Sequence, residues 1–506
     1  MSVESKFKHA NQCGRWAGMW AHVVGMVAGV GLVLGAGNVC ARDWVEVLTT
    51  PFVDPLRVGA SSRANAGRAA PWEDSQSPGC ENRTVHDASD PLTLLAAIDL
   101  TLCHSPQVQE AWASIKVQTA QVGEARAAYL PTVNAGVSRT RQKSQSPESG
   151  FMVNSERTTD SQFATLTWRL LDFGGRGANA RSAQALLEAA VASRDAVLQK
   201  TMASVISLYF EAQTAKANRE TKEKGENVAR QTLEAARKRE ARGAGAQSDT
   251  LQARTALAKA ELEHGRAIGA YDKSVASLVV AMGLPARSVQ ALVLAPDYSD
   301  VEHMLGQDLD TWLSLAYDQH PALMAVRAQL ESAREKLNAV RSEGRPTLDL
   351  TWSQYVNGRP NQALTSGQSN ESTVGLTVNI PLFEGFGRSY KLSGAQAQIE
   401  VKDSELRDTQ NQILGEVVKS HADAVAALRN LDASKRLIEA AQEALDNVQK
   451  KYDRGVVDIL EMLSVQMALT DSELERVRSL SDWRSARLRL LANVGTVGIK
   501  DVRVKN

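Results

Sequence analysis

The sequence predicts an α+β membrane protein, in which pairs of amphipathic strands sit in a bilayer and very long helices continue from them. Three observations predict it. The chain of 506 residues says nearly the same thing twice; each half carries two runs with a period of two; and each half then carries a proline-free run of helical composition. The halves register by number. Pro131 matches Pro346 and Phe173 matches Phe383, while Arg242-Gly243, Tyr271 and Gly283 match Arg454-Gly455, Trp483 and Gly495 at a constant offset of 212 (454 less 242, 495 less 283). Each half reads as a short helix, two strands, a very long helix and a shorter helix. Long helices that cannot fold alone, joined to strands that cannot close a sheet alone, imply an oligomer.

The N-terminus comes first in order. Arg15 precedes an uncharged run from Trp16 to Val39, and Val39-Cys40-Ala41 offers small residues where a signal peptidase reads. Residues 1–41 are expected to be a secretory signal. A retained anchor is the alternative, since the run is long enough to span a bilayer; lipidation at Cys40 is disfavoured by its leader Gly37-Asn38-Val39. Residues 42–91 lack periodicity and read as a flexible segment. Beyond the signal the cysteines are Cys80 and Cys103, which either pair in an oxidising compartment or stay as two thiols.

The body follows as a first repeat over 92–290, a linker at 291–309, a second repeat over 310–497 and a tail at 498–506. In the first repeat Val133, Ala135 and Val137 alternate with Asn134, Gly136 and Ser138, and then Ala164, Leu166, Trp168 and Leu170 alternate with Thr165, Thr167 and Arg169. In the second, Leu348, Leu350 and Trp352 alternate with Asp349, Thr351 and Ser353, and then Leu376, Val378 and Ile380 with Thr377 and Asn379. About ten residues with one apolar face is what a tilted membrane strand needs, although a soluble four-stranded sheet packed on helices has the same alternation. Ala164, Leu166, Trp168, Leu170, Leu376, Val378 and Ile380 are therefore expected to face lipid. Open strand edges are not tolerated in hydrocarbon, so several copies must share one barrel, and three copies give twelve strands. The polar stretches 143–160 and 355–371 are expected to be exposed outer loops.

From Gly175 to Arg242, and again from Arg388 to Arg454, no proline interrupts the chain. The first run would span about 100 Å as a helix. Small residues recur along it at helical spacing, Ala178, Ser182, Ala185, Ala189, Ala192, Ala196, Ala203 and Ser207, a face for close helix approach in a coiled coil, an α-barrel wall or a conventional bundle. The long helices are expected to end at Arg242-Gly243 and Arg454-Gly455 with left-handed glycine caps. Ser248 with Asp249, and Asp458 with Glu461, are expected to start the helices that return.

The 58 basic and 58 acidic residues balance, which excludes nucleic acid as an expected partner. No phosphate loop, zinc-protease motif or nucleophile elbow occurs, and the eight histidines are scattered. No enzyme activity, cofactor or metal is expected.

Taken in order, these elements resemble the TolC family of outer-membrane export channels over roughly residues 92–497. The resemblance is carried by the duplication; by Tyr129-Leu130-Pro131 and Arg345-Pro346; by Leu170-Leu171-Asp172-Phe173-Gly174-Gly175-Arg176 and Ile380-Pro381-Leu382-Phe383-Glu384-Gly385; and by the tips, Arg242-Gly243 to Leu251-Gln252-Ala253 and Tyr452-Asp453-Arg454-Gly455 to Leu463. It implies a homotrimer with a twelve-stranded barrel in outer-membrane lipid and an α-helical barrel in the periplasm. It further implies a periplasmic adaptor (a membrane fusion protein) docked on the tips Arg242, Gly243, Arg454 and Gly455, and an inner-membrane ABC transporter or other pump. By the same resemblance Asp249 and Tyr452 hold the periplasmic mouth shut. The family's third gate residue, an Arg, is replaced by Val457, which leaves Arg454 as the candidate substitute. The family's acidic lumen pair maps to Glu461 and Ser464, one acid instead of two. Among subfamilies the chain is similar to channels for type I secretion, in particular an adenylate cyclase-haemolysin exporter. A drug-efflux channel and a periplasmic coiled-coil scaffold without a pore are the alternatives.

Overall fold

A computed structural model describes residues 91–148, 151–243, 245–295, 307–359 and 369–496. The expected signal, the segment 42–90, Cys80 and the tail 498–506 lie outside the described residues. The first half runs α1 (Leu94–His104), α2 (Pro106–Ala127), β1 (Thr132–Glu148), β2 (Phe151–Leu171), α3 (Gly175–Ala241), α4 (Gln247–Ala281) and a 3-10 turn (Ala286–Ala291). The second repeats it as α5 (Leu309–Gln319), α6 (Pro321–Glu343), β3 (Thr347–Val356), β4 (Asn370–Asn379), α7 (Gly387–Asp453) and α8 (Ile459–Val494). Helical repeat partners match closely in length: α1 and α5 have 11 residues each, α3 and α7 have 67 each, whereas β1 and β2 are longer than β3 and β4.

The single short helix expected before each strand pair is in fact two. Both breaks fall at an X-Pro step, Ser105-Pro106 and His320-Pro321, because proline disfavours helical backbone at the residue before it yet suits the first position of the next helix. The repeat-related glycines explain why these corners are tight. Gly283 has φ +71°, and a Cβ there would lie 2.6 Å from the His104 carbonyl oxygen; Gly495 has φ +84°, and its Cβ would lie 2.8 Å from Pro321 Cδ. Each half therefore closes its last helix onto its own first corner, and only glycine permits the approach.

The strand-to-helix corners are a second duplicated device. Each uses two successive left-handed residues, Phe173 (φ 50°) and Gly174 (φ 94°) in one half, Gly385 (φ 59°) and Phe386 (φ 65°) in the other. The structural partner of Phe173 is thus Gly385 and not Phe383: the offset of 212 already holds at the helix start (385 less 173). Asp172 caps α3, accepting from the Arg176 N–H at 2.7 Å, and the Arg176 guanidinium donates to the carbonyls of Arg169 (2.6 Å) and Leu170 (3.2 Å) while stacking 4.8 Å from the Tyr129 ring centre. Arg388, its repeat partner, donates to the Gly344 and Arg341 carbonyls instead. There the guanidinium lies where a Cβ on Gly344 would be, 1.8 Å away, so a bare backbone takes the place of the tyrosine ring.

The strands form one antiparallel sheet in the order β1-β2-β3-β4, with β1 and β4 as its edges. The long helices carry the rest. Near the sheet α3 packs on α2 and α6, and toward its far end on α4 and α8; α7 packs on α6 and then α8. The small-residue face of α3 meets α6, with Ala178, Ser182, Ala185, Ala189 and Ala192 buried and the Ser182 hydroxyl 2.9 Å from that of Ser332. Ala196, Ala203 and Ser207 are only half-buried. One apolar core joins α1, α3 and α4, another joins α5, α7 and α8 around Trp483, and a third lies at the tip. The first linker residues are tied down: Leu92 pairs with Leu294, and Lys216 donates to the Leu294 carbonyl at 3.0 Å.

Cys103 is disulfide-bonded and is therefore not a free thiol. His320 caps α6, its Nδ1 accepting from the Ala322 N–H at 3.2 Å. That bond requires a neutral acceptor nitrogen, and burial pushes the imidazole pKa down from 6.5 to about 4.

Alanine at Gly283 or Gly495 is expected to destabilise the chain by about 1–3 kcal/mol through left-handed strain and overpacking, whereas alanine at Gly265, in mid-α4 with open space around it, should be neutral or stabilising by about 0.5–1 kcal/mol. Denaturant unfolding followed by helical circular dichroism distinguishes the two. His320 sets a pH dependence with a definite sign: its neutral form stabilises the fold fully above pH 6.5, and that contribution is lost as pH falls from 6.5 through 4. Unfolding midpoints measured across that window should fall with pH, and less steeply in His320→Asn.

Candidate channel wall and periplasmic mouth

Antiparallel partners share a sheet face, so the register sorts the strand residues. Val133 lies opposite Leu166 and Ala135 opposite Ala164; Leu166 lies opposite Trp352 and Trp168 opposite Leu350; Leu350 lies opposite Leu376 and Leu348 opposite Val378. One apolar face therefore crosses all four strands. It is open in the single chain, with Val374, Leu376 and Val378 more than half exposed. The other face carries Asn134, Ser138, Ser161, Thr165, Thr167, Thr351, Ser353 and Thr377, together with an Arg169–Asp349 pair at 2.9 Å between β2 and β3. Phe163 also lies on that face, its ring over Gly136, where a Cβ would come within 2.7 Å.

Two sequence expectations change here, the lipid-facing place of Leu170 and the loop at 143–160. Leu170 is the extra residue of a bulge between Arg169 and Leu171, and Leu171 takes the register position opposite Leu348. Ile380 follows the last residue of β4 and is exposed. The stretch 143–160, expected to be a loop, is mostly strand: β1 runs to Glu148 and β2 starts at Phe151. Its polar residues read as loop, but they are cross-strand partners. Arg139 pairs with Asp160, and Arg141 and Lys143 with Glu156, so the ribbon continues past the end of β3.

At the far end, α3 and α7 stop at Arg242 and Arg454, followed by left-handed Gly243 (φ 71°) and Gly455 (φ 72°). The Gly455 and Val456 N–H groups donate back to the Tyr452 (2.9 Å) and Lys451 (3.0 Å) carbonyls, closing the helix end. Asp458 caps α8, accepting from the Glu461 N–H at 2.9 Å. The other return differs from expectation. Helix α4 begins at Gln247 with Ala246 as its uncapped N-cap, and the Ser248 hydroxyl donates to Asp249 (3.3 Å) instead of capping the helix. Arg242, Arg454, Gly243, Gly455 and Glu461 are all exposed at this end, and Asp249 is half-buried.

Tyr452 is buried among Leu233, Ala236, Ala253, Val448, Ile459 and Met462. Its partner is a residue that sequence reasoning missed. Arg239, on α3, stacks its guanidinium 4.7 Å from the Tyr452 ring centre and donates Nη1 to the Tyr452 carbonyl at 3.1 Å. Among the described residues of one chain no hydrogen bond joins Tyr452 to Asp249. The sequence signal for Arg239 was weak, one of several basic residues in the last turns of α3, and only the packing of α3 on α7 singles it out. Cation–π stacking and a charged donor on a helix C-terminal carbonyl act together here. Among the described residues no cluster of His, Cys, Asp or Glu is placed to hold a metal, and no helix is long and apolar enough to cross a membrane.

An open sheet with one apolar face, continued by paired long helices with matched tips, is the protomer of an outer-membrane channel that extends into the periplasm. A family model described as "Outer membrane efflux protein" matches the chain twice, over residues 97–284 and 312–496, once in each half. The chain belongs to that family. Protein CyaE of Bordetella pertussis is 34% identical over 450 residues, 88% of this chain and 93% of that protein. Alkaline protease secretion protein AprF of Pseudomonas aeruginosa is 22% identical, over 82% of this chain and 86% of that protein. The Campylobacter jejuni CmeC outer membrane channel has the same fold, with a TM-score of 0.70 at 14% identity over 80% of this chain and 85% of that one.

An arginine at Leu166, on the apolar face, is expected to cost about 2–4 kcal/mol at bilayer depth and to block assembly, while an arginine at Thr167, on the polar face, should be accepted. Outer-membrane fractionation of the two variants checks this, and equal tolerance would contradict the face assignment.

Proposed function

We propose that this chain is the outer-membrane duct of a tripartite type I secretion system, assembled as a homotrimer and opened by a periplasmic adaptor and an inner-membrane pump. The observation that carries the reading is the continuity of an apolar-faced sheet with two 67-residue helices in one chain, a shape that joins a bilayer to a distant docking point. The cargo is proposed to be a protein of the toxin class that the sequence resemblance implies. The whole-length likeness to CyaE supports this, as do relatives whose names specify protease secretion. Efflux of small molecules is the second reading, favoured by the family's description and by an efflux relative, BepC of Brucella suis. Deleting the chain's gene and measuring both protein export and drug susceptibility separates them: lost export with unchanged susceptibility supports secretion, and the reverse supports efflux.

In this reading Ala164, Leu166, Trp168, Leu376, Val378 and Ile380 face lipid. Glu461 is the single lumen acid near the mouth, and Arg242-Gly243 and Arg454-Gly455 receive the adaptor. Asp249, Tyr452 and Arg454 close the mouth between copies, and Arg239 holds Tyr452 in place for that contact. Both Tyr452→Phe and Arg239→Ala are therefore expected to raise resting conductance of reconstituted trimers without loss of assembly, as is Asp249→Ala. A Tyr–carboxylate bond of about 1.5–3 kcal/mol repeated by symmetry is enough to bias a two-state gate. Unchanged conductance in all three variants would remove the gate from this reading.

A further inference from the structure

We infer that the outward face of the β1–β2 ribbon is a binding surface for the phosphates of the outer leaflet's glycolipid, lipopolysaccharide. The inference rests on the reading above that the apolar sheet face meets lipid. Strand residues two apart share a face, so the line of Val133, Ala135 and Val137 continues directly into Arg139, Arg141 and Lys143. Below Arg139 this line of β1 is apolar, with Gln162 of β2 opposite Val137, and above Val137 it carries the three cations. With about 3.4 Å per residue along a strand tilted about 40°, Arg139 stands about 5 Å, Arg141 about 10 Å and Lys143 about 15 Å above Val137. A bilayer's headgroup zone is about 5–8 Å deep on each side of its hydrocarbon. The first two cations thus lie at or just beyond the depth of the lipid phosphates, and the third lies beyond them.

The local chemistry fits an anion. Three cations on this face share two acids, Asp160 and Glu156, leaving one positive charge in excess per copy. The cationic side chains are 76%, 65% and 67% exposed, and exposed pairs of this kind contribute little, so a phosphate displaces the acid at small cost. Arginine also matches phosphate with two parallel donors. Among the described residues of the second hairpin, β3 and β4, there is no counterpart on this face. Above Val374 its outward face carries Gln354, Ser372, Val356 and Asn370, none of them charged, and β3 ends where the first ribbon continues. The two halves, so alike elsewhere, differ most at this level.

The test uses the full-length protein in its native membrane and then as purified trimers. Lipopolysaccharide, the same lipid with its phosphates removed, and inorganic phosphate are the probes. Binding of fluorescently labelled lipopolysaccharide is expected to fall about tenfold or more in a variant carrying Arg139→Ser, Arg141→Ser and Lys143→Ser, and to fall likewise for the dephosphorylated lipid on the unsubstituted protein. Millimolar inorganic phosphate should not compete, since a free anion lacks the lipid's anchorage; effective competition would mean a simple anion site and would overturn the lipid assignment. Glu156→Gln with Asp160→Asn, which frees the cations, should bind at least as tightly as the unsubstituted chain. Equal binding by the triple variant, or by the dephosphorylated lipid, overturns the proposal. If the unsubstituted chain is absent from the outer membrane, the underlying barrel reading fails instead, so the two failures are distinguishable.

Discussion

The backbone of the two edge strands constrains everything else in this molecule. β1 and β4 each present a row of unpaired N–H and C=O groups, tolerable in water but costly in hydrocarbon, where no solvent can satisfy them. A single chain with four strands cannot solve this, because closure needs more strands than it has. The apolar face raises the stakes by drawing the sheet into the bilayer. Association through the edges is therefore the step that makes the sheet viable, and the helices follow it. The sheet-proximal wall of α3 is small-residue and close-packed on α6, while apolar side chains such as Leu251 and Leu262 of α4 and Leu437 of α7 remain exposed in the single chain.

Duplication lets the same few devices serve twice, and comparing the copies shows which physical feature each device needs. The helix corners need a glycine with a left-handed backbone, met by Gly283 and Gly495. The strand-to-helix corners need an arginine that gathers carbonyls; Arg176 rests on a tyrosine ring, Arg388 on a bare glycine. The tips need a left-handed cap, met by Gly243 and Gly455. Departures from symmetry then stand out: the long charged ribbon of the first hairpin, the bulge at Leu170, and the Arg239–Tyr452 clamp that ties one repeat to the other across the tip.

Much of the fold was legible in the sequence because its signals are periodic. Alternation placed the strands, the absence of proline placed the long helices, and glycine after arginine placed their ends. What was not legible depended on pairing. The polar composition of 143–160 looks the same whether it is a loop or a ribbon, and only the opposite strand's Asp160 and Glu156 make it a strand. The corners at Pro106 and Pro321 each turn on a single X-Pro step inside a run of helical composition. At the candidate site, Asp458 declared itself as a cap through its spacing to Glu461, whereas Arg239 did not, since a stacking cation on a neighbouring helix leaves no spacing signature. The Phe173 match slipped by two residues because the order of phenylalanine and glycine is swapped between the halves while the backbone conformation is kept.

The central claim, that edge strands of different copies pair to close one barrel, is tested most directly by cysteine cross-linking between them. Single cysteines placed along the apolar face of β1, at Val133, Ala135 or Val137, are combined in one chain with cysteines on the same face of β4, at Val374, Leu376 or Val378, and oxidised in the native outer membrane. Edge pairing between copies predicts that at least one register gives a covalent ladder on denaturing gels ending at three times the chain mass, with both cysteines required. Cross-links that form only within one chain, a ladder that stops at two copies, or no cross-link in any register would contradict it.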